Sequence, residues 1–326
     1  MKGKVQVINM EHINSSTKYL DPKVFDVKYS FNNIENKPTL ISVSNVYTYL
    51  ESDYITTYFK KSVLKPYGLD KVKAFPFYTR RKMIVLDKIE EYKLSLYNNP
   101  IYYSSFAFGK DINMLLENID NLPDKLVIKY EIGAKGENIC FVDKDMLLDT
   151  LHLISAFGCY ENCPIGTFNN LKPLKKKSTE HFERFLFSQY LYVEEDLSDR
   201  IFKEYRALVN LDGDVIAYER IGYGDTYEDK KTIYLDGVSD IKSLLEEINI
   251  SRLIRNMDIY VKRMKEFVRW MDTPIISIDI VTLDNCDSML ILEASGEYAF
   301  KRFPPMVAKE FINKSYIKYC KEHRLL

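Results

Sequence analysis

The sequence lacks three features that would narrow its class at once: charge of one sign, long apolar runs and paired cysteines. Its 46 Lys and Arg residues nearly cancel its 47 Asp and Glu residues, so its overall charge does not favour a nucleic-acid partner. No run of about 18 apolar residues occurs, and the first residues lack the apolar core of a signal peptide. We therefore expect a cytoplasmic protein without a membrane partner.

Cysteine is sparse, and its number is odd. The five residues are Cys140, Cys159, Cys163, Cys286 and Cys320. In a chain of this length an odd number predicts free thiols rather than a disulfide framework. Cys159 and Cys163, with His152 upstream, leave zinc open as an alternative, but the second cysteine pair that such sites usually have is missing.

What the chain does have is the composition of a folded protein of enzyme size. Hydrophobic residues make up 46% and charged residues 29% of its 326 positions, which is typical of globular chains and predicts two or three subdomains. Before residue 87, short β-like runs predict a small α/β lobe. These runs are Lys4–Asn9, Leu40–Val43 and Met83–Leu86. A helix is expected next, with Asp87 as its N-cap.

Two acidic residues interrupt a strongly apolar hairpin near the C-terminus. The stretches 275–281 and 289–295 predict two strands joined by a polar turn. If the turn centres on Cys286, Asp279 lies opposite Glu293, with their Cβ atoms about 5 Å apart on one face. The other face is predicted to be core and consists of Ile276, Ile278, Ile280, Leu290, Leu292 and Ala294.

Two facing carboxylates repel each other unless a cation or a proton lies between them. Mg²⁺ suits this position, because it prefers oxygen ligands and commonly takes one or two carboxylates together with substrate phosphates. We therefore interpret Asp279 and Glu293 as metal ligands. The alternative is a solvent-facing acidic pair, with each carboxylate neutralised by Lys or Arg from elsewhere.

A second predicted hairpin places a lysine beside a glycine loop. Lys129 interrupts an apolar strand, and the loop Gly133-Ala134-Lys135-Gly136 leads into a further strand, Asn138–Val142. A lysine with a buried stem can neutralise phosphate oxygens while the backbone N–H groups of the loop approach them. An exposed lysine on an edge hairpin is the alternative. The loop is not a Walker P-loop, because it lacks the Gly-Lys-Ser/Thr ending and precedes a strand.

In their order along the chain, these segments resemble the ATP-grasp superfamily over roughly Met83 to Ser295. The run Ile84-Val85-Leu86-Asp87-Lys88 is similar to the family's apolar run ending in Asp-Lys, so the resemblance implies that Lys88 reaches a phosphate. It also implies that Lys129 contacts ATP. The segment with Gly133, Lys135 and Gly136 looks like the mobile glycine loop of the family.

The resemblance extends to the next predicted strand. Ser188-Gln189-Tyr190-Leu191 is similar to the hinge strand whose backbone contacts adenine, which implies Gln189, Tyr190 and Leu191 as nucleotide contacts. Glu194 or Glu195 would hold the ribose, and we assign Glu195.

Two arginines and a serine complete the resemblance. Arg206 and Arg220, on the two strands of a hairpin predicted about Asp212-Gly213, resemble arginines that bind phosphate or an acyl-phosphate. A cross-strand ion pair of Arg206 with Glu219, worth little if exposed, is the alternative. Asp279 and Glu293 match the metal-binding acids. Ser295 stands where the family usually has Asn, and we include it as a weaker metal ligand.

The implied fold class is α+β. It is the ATP-grasp fold, in which two α+β lobes enclose ATP, preceded here by a small α/β N-terminal lobe. The expected domains are 1–86, 87–184 with the glycine loop and an inserted segment, and 185–326 with the metal-binding carboxylates.

The resemblance implies an ATP-dependent carboxylate-amine ligase. A carboxylate substrate would become an acyl-phosphate, an amine would capture it, and ADP and phosphate would leave. ATP and Mg²⁺ are the implied cofactors, an amino acid or peptide is the expected type of substrate, and the family's frequent dimers are consistent with a homodimer. Two alternatives stay open: a phosphotransferase on the same scaffold, and a non-catalytic nucleotide-binding protein.

Overall fold

The computed structural model of the protein describes residues 4–9, 16–29, 35, 37–42, 72–74, 82–99, 102–105, 119–130, 139–151, 190–220, 232–234, 237–296 and 300–326. The chain divides into two compact units. Unit 1 combines Met1–Leu96 with Phe202–Leu326, and unit 2 is Tyr97–Ile201. The three-part division at residues 86 and 184 remains a prediction, because one compact unit can contain more than one lobe.

The described elements are strands and helices in a mixed order. The strands are β1 Val5–Asn9, β2 Phe25–Lys28, β3 Thr39–Ser42, β4 Val72–Ala74, β5 Tyr102–Ser105, β6 Lys125–Tyr130, β7 Ile139–Asp143, β8 Tyr190–Glu195, β9 Ile201–Asn210, β10 Asp214–Arg220, β11 Thr232–Tyr234, β12 Ser239–Asp240, β13 Ile275–Leu283 and β14 Ser288–Ser295. The α-helices are α1 Lys82–Glu91, α2 Ile241–Glu247, α3 Met257–Met271 and α4 Pro305–Glu322.

Unit 1 contains two sheets. The N-terminal sheet is parallel and has the order β2-β1-β3-β4, as an α/β lobe requires. The second sheet has the order β11-β10-β9-β13-β14, with β12 paired to β10. Every residue of β13 is buried, because this strand lies between two neighbours and is covered on both faces.

Helices cover the core of unit 1 with apolar faces. In α3 the buried residues Tyr260, Met264, Phe267, Val268 and Met271 recur at helical spacing. Asn256 caps this helix, because its side chain accepts a hydrogen bond from the Ile259 amide. In α4 the buried aromatic residues are Phe311, Tyr316 and Tyr319.

The hairpin of β9 and β10 agrees with its prediction. Gly213 has φ +84° at the turn, a conformation that glycine adopts without a steric penalty. The Asn210 side chain accepts hydrogen bonds from the amides of Asp212 and Asp214 and closes the turn. The register then pairs Arg206 with Tyr218 and Glu204 with Arg220.

Helix α1 corrects one prediction. The sequence predicts a β-like run at Met83–Leu86 and a helix that starts at Asp87, but α1 begins at Lys82 and carries Asp87 in its interior. Val85 and Ile89, four residues apart, are both buried in the core of unit 1. A continuous apolar run does not by itself distinguish a buried strand from a buried helix.

Unit 2 contains an antiparallel sheet with the order β5-β8-β6-β7. Its own core includes Leu126, Ile128, Val142, Leu147 and Val193. Strands β6 and β7 form the predicted hairpin, with Lys129 opposite Ile139.

Three cysteines are described, Cys140, Cys286 and Cys320, and all three are free and buried. This agrees with the prediction of free thiols, and burial raises the pKa of Cys320 to about 12. The zinc alternative at His152, Cys159 and Cys163 falls outside the described residues. Among the helices that the structure describes, none has the length and apolar character that crossing a membrane requires.

Candidate functional site

The β13–β14 hairpin brings Asp279 directly opposite Glu293, as the sequence predicts. The route to this register differs from the predicted one. Leu283 pairs with Ser288 and Ile280 with Ile291, so the turn alone would set Asp279 against Leu292. A β-bulge then leaves Leu292 without a ladder partner and moves Glu293 into place. Bulges are frequent next to active sites, where they redirect a side chain.

The bulge also corrects the predicted core face of this hairpin. Leu292 is only partly buried, and Leu290, although buried, lies opposite Val281 on the Asp279 face of the hairpin. The core face instead combines Ile276, Ile278 and Ile280 with Ile291 and Ala294. The extra residue reverses the alternation of side chains after Leu292.

Both carboxylate oxygens of Asp279 accept hydrogen bonds from Arg206. Arg206 Nε donates to Asp279 Oδ1 at 2.6 Å, and Nη2 donates to Oδ2 at 2.5 Å. Asp279 is 8% exposed, whereas the Arg206 side chain is 24% exposed, so this bidentate pair is partly buried. Burial lowers the pKa of the Arg206 guanidinium, but the hydrogen bonds and the charge of Asp279 outweigh burial and raise that pKa overall. The predicted alternative, a pair of Arg206 with Glu219, is not what forms, because Glu219 pairs with Lys203.

A second arginine extends this arrangement. Arg220 lies opposite Glu204 in the β9–β10 ladder and donates to Glu204 Oε1 through Nη1. The same Nη1 is 3.9 Å from Asp279 Oδ2. Glu204, Arg206, Arg220, Asp279 and Glu293 therefore form one series across β10, β9, β13 and β14, which we call the charged row.

Tyr218 lies beside the charged row as a neutral neighbour. It is opposite Arg206 in the ladder and packs its ring edge-on against Phe303, 5.2 Å between centroids. Burial raises the pKa of Tyr218, although Arg206 and Arg220 act against the rise. The phenol therefore stays protonated at neutral pH.

Within the described part of the chain, the lysine that approaches Glu293 of the charged row is not the one that the sequence favours. Lys82, the first residue of α1, places Nζ 3.8 Å from Glu293 Oε1. Lys88, the predicted phosphate contact, pairs with Glu91 and lies over the Trp270 ring at 5.7 Å from its centroid. Lys82 was not predicted from the sequence. A helix that begins at Lys82, in place of the predicted β-like run at Met83–Leu86, would have been the signal, because it puts Lys82 in the first helical turn.

The donor set of the charged row fits Mg²⁺ held jointly by protein and phosphate. Among the residues that the structure describes, no group of three or more His, Cys, Asp or Glu side chains could hold a metal ion. Asp279 and Glu293 supply two carboxylates, and Ser295, opposite Ser277 at the end of β14, adds a hydroxyl. Mg²⁺ needs no more protein ligands than this where substrate phosphates complete its shell.

In unit 2, Lys129 is brought together with Glu194. The Lys129 ammonium donates to Glu194 Oε1, and the two side chains are 17% and 9% exposed. Lys129 is opposite Tyr192, and Glu194 is opposite Val127, so both project from one face of the sheet. We call Lys129 and Glu194 the lysine pair.

Glu195, the residue assigned to ribose, lies on the opposite face of β8 from the lysine pair. It accepts a hydrogen bond from Tyr97 Oη at 2.6 Å, and Arg200 Nη1 lies 3.5 Å from its other carboxylate oxygen. Its role with ribose remains a prediction. Tyr190 and Leu191 lie at the start of β8, opposite Ser105 and Ser104 of β5. Gly133, Lys135, Gly136 and Gln189 fall outside the described residues.

Comparison with known proteins gives similarity in structure but not in sequence. No protein-family model matches the chain, and no curated protein matches it in sequence. D-alanyl-alanine synthetase A from Vibrio cholerae O1 biovar eltor superposes with a TM-score of 0.56 and 10% identity, over 98% of this chain and 99% of that one.

Two further structures cover almost the whole chain. D-cycloserine synthetase DcsG gives a TM-score of 0.55 at 9% identity, over 99% of this chain and all of its own. The ATP-grasp ligase PsnB, complexed with a minimal precursor, gives 0.50 at 10% identity, over 98% of this chain and all of its own.

Proposed function

We propose that this chain, which has the ATP-grasp fold, is an ATP-dependent ligase that joins a carboxylate to an amine. The observation that carries the proposal is the charged row. A bidentate Arg206–Asp279 pair, a second arginine and Glu293 lie together on adjacent strands of this fold. Arginine is well suited to bind phosphate oxygens through two N–H groups at once.

In the proposed reaction, an oxygen of the substrate carboxylate attacks the γ-phosphorus of ATP, and the bond from that phosphorus to the β–γ bridging oxygen breaks. ADP leaves with the bonding electrons. The amine nitrogen then attacks the acyl carbon, phosphate departs with the C–O electron pair, and the nitrogen loses a proton. The products are an amide, ADP and phosphate.

The charged row supplies positive charge where the phosphoryl group transfers. Arg206 and Arg220 would bind the oxygens of the γ-phosphate and of the acyl-phosphate, and Lys82 would neutralise a further phosphate oxygen. Such positioned charges stabilise the transition state without reorganising during the reaction. Lys82 takes this role in our proposal because its ammonium lies near Glu293.

Asp279 and Glu293 are the residues proposed to hold Mg²⁺, with Ser295 as a weaker third. When bound, the ion supplies charge neutralisation and orientation of the β- and γ-phosphates. Asp279 has capacity for both partners, because an ionised carboxylate offers about four lone-pair positions and Arg206 uses two of them.

Residues of unit 2 are proposed to bind the rest of the nucleotide. Lys129 would neutralise a phosphate oxygen, with Glu194 holding the ammonium in place. The backbone of Gln189, Tyr190 and Leu191 would contact adenine, and Gly133, Lys135 and Gly136 would cover the phosphates. Exclusion of water by that loop would protect the acyl-phosphate from hydrolysis.

An amino acid or a peptide is the proposed type of substrate. The similar structures are a D-alanyl-alanine synthetase, a D-cycloserine synthetase and a ligase bound to a precursor. The first of these names describes the formation of a dipeptide, whose two amino acids each carry a carboxylate and an amine. The charged row is suited to a carboxylate that becomes phosphorylated.

The direct test is incubation of the purified protein with Mg-ATP and pooled amino acids and peptides. We expect ADP and phosphate in equal amounts, with a product whose mass equals the two substrates minus water. Asp279→Asn should abolish the signal, whereas Asp287→Asn, at the exposed turn of the same hairpin, should retain it. AMP with pyrophosphate, or a product heavier by one phosphate, would refute the ligase.

A further inference from the structure

Glu204 is a buried carboxylate to which the proposed mechanism gives no role. It is 5% exposed, and it lies on the same face of β9 as Arg206, two residues away. Its Oε1 accepts from Arg220 Nη1. A carboxylate this deeply buried is costly unless it is paired.

Arg220 lies between two carboxylates, and this position connects Glu204 to Asp279. Nη1 of Arg220 hydrogen-bonds Glu204 and is also 3.9 Å from Asp279 Oδ2. Asp279 already accepts two hydrogen bonds from Arg206. If Arg220 moved fully onto Asp279, two guanidiniums would share one carboxylate, and fewer of its lone pairs would be left for another cation.

The net charge of these residues also favours a cation at Asp279 only while Glu204 is charged. Glu204, Asp279 and Glu293 carry three negative charges, and Arg206, Arg220 and Lys82 carry three positive charges, so the sum is zero. Without the charge of Glu204, the same six positions carry a net +1. A divalent cation at Asp279 would then meet repulsion in a partly buried setting, where charges are weakly screened.

We propose that Glu204 is a positioning residue that holds Arg220 away from Asp279 and so keeps Asp279 able to bind the nucleotide-linked divalent cation. This inference rests on the proposed function, because it assumes that Asp279 is a metal ligand. It gives Glu204 a role exerted through Arg220, without contact between Glu204 and the substrate.

The test measures Mn²⁺ affinity at a saturating concentration of a non-hydrolysable ATP analogue, by following the electron paramagnetic resonance signal of free Mn²⁺. Saturation with nucleotide removes the effect of any lost contact between Arg220 and phosphate. The variants are Glu204→Gln, Arg220→Gln and the double variant. The control is Glu219→Gln, which removes a carboxylate of the Lys203–Glu219 pair on the other face of the same two strands.

We expect Glu204→Gln to raise the Mn²⁺ dissociation constant about tenfold, in the range of measured couplings between close charges. In the double variant the freed arginine is gone, so the constant should return to within about twofold of wild type. Glu219→Gln should bind Mn²⁺ as wild type does.

Two results would overturn the inference while leaving the proposed function intact: unchanged Mn²⁺ affinity in Glu204→Gln, or a double variant as weak as Glu204→Gln. If Glu204→Gln fails to fold by circular dichroism, Glu204→Asp replaces it. Its shorter carboxylate should weaken Mn²⁺ binding less than tenfold, and unchanged affinity would count against the inference. If wild type binds no Mn²⁺ with the nucleotide analogue, the proposed function itself fails, and this inference fails with it.

Discussion

The charged row of unit 1 and the lysine pair of unit 2 neutralise partly buried cations in different ways. Both place cations in partly buried positions on a sheet face and pair each with a carboxylate. The charged row spans four strands, and Asp279 lies near two arginines. The lysine pair joins Lys129 to Glu194 across two neighbouring strands. A change in the row should therefore affect several residues, whereas a change in the pair should remain local.

The largest effect is expected at the centre of the charged row. Asp279→Asn leaves Arg206 facing a neutral amide in a partly buried setting, which should destabilise the fold by about 3 kcal/mol, the low end for a buried pair that loses one partner. It also removes a proposed metal ligand and should lower ATP turnover by about 10³-fold. Turnover is measured as ADP release and stability by urea unfolding. If turnover falls no more than in Asp287→Asn, the row does not carry the function.

The lysine pair should show a smaller effect that is confined to the nucleotide. Lys129→Met is expected to weaken ATP-analogue binding about 10- to 100-fold, in proportion to the loss of one charge-assisted contact. Isothermal titration calorimetry measures this change. The control is Lys125→Met on the same strand, whose pair with Asp199 is largely exposed and should contribute little. Equal binding by both variants would remove Lys129 from the proposed site.

A matched pair of lysines in α1 tests whether the charged row includes this helix. Lys82→Met should raise the KM for ATP about tenfold, because one charge near Glu293 is lost. Lys88→Met should change the KM less than about twofold, because its partner Glu91 is an exposed neighbour on the same helix. If Lys88→Met raises the KM for ATP more than Lys82→Met does, Lys88 is the phosphate contact, as the sequence predicts, and Lys82 is not.

The smallest effect concerns a charged cluster outside both regions. His323 Nε2 is 3.0 Å from Asp272 Oδ1, and Lys73 pairs with the same carboxylate. Tyr319 Oη also donates to Asp272, and Glu322 lies next to His323. Burial and then Lys73 lower the pKa of His323 below its usual 6.5, although Asp272 opposes them.

The sign of the pH effect follows from that direction. Below about pH 6.5 the unfolded chain takes up the His323 proton more readily than the folded chain, so acid should lower the free energy of unfolding. His323→Gln should reduce the loss of stability between pH 7.5 and pH 5.5. Urea titrations at the two pH values measure it, and an equal or greater loss in the variant would contradict the expectation.

Local patterns were enough to predict several parts of the fold. Asp212-Gly213 predicts the β9–β10 hairpin, because the backbone conformation of Gly213 is one that side chains disfavour. The apolar run before Asp87 misled, because tertiary packing against the core, rather than its composition, decides that it is helical.

The candidate site could be predicted only in outline. Asp279 and Glu293 are conspicuous in sequence as acids within apolar strands. Their facing register depends on the β-bulge at Leu292, and no residue type at that position predicts a bulge. The pairing of Glu204 with Arg220 and of Glu194 with Lys129 depends on which strands adjoin and on which face each side chain projects.

The sequence by itself determined the fold class, through its resemblance to the ATP-grasp superfamily, the hairpins that hold the proposed site residues, and the residue types able to bind phosphate and a hard cation. The hairpins and residue types could be predicted because turn residues and charged side chains in apolar strands are local properties. Tertiary structure alone decided which lysine of α1 approaches Glu293 and which carboxylate holds each arginine. Those choices depend on strand order, on one β-bulge and on the packing of α1, which bring together residues separated by up to about 200 positions.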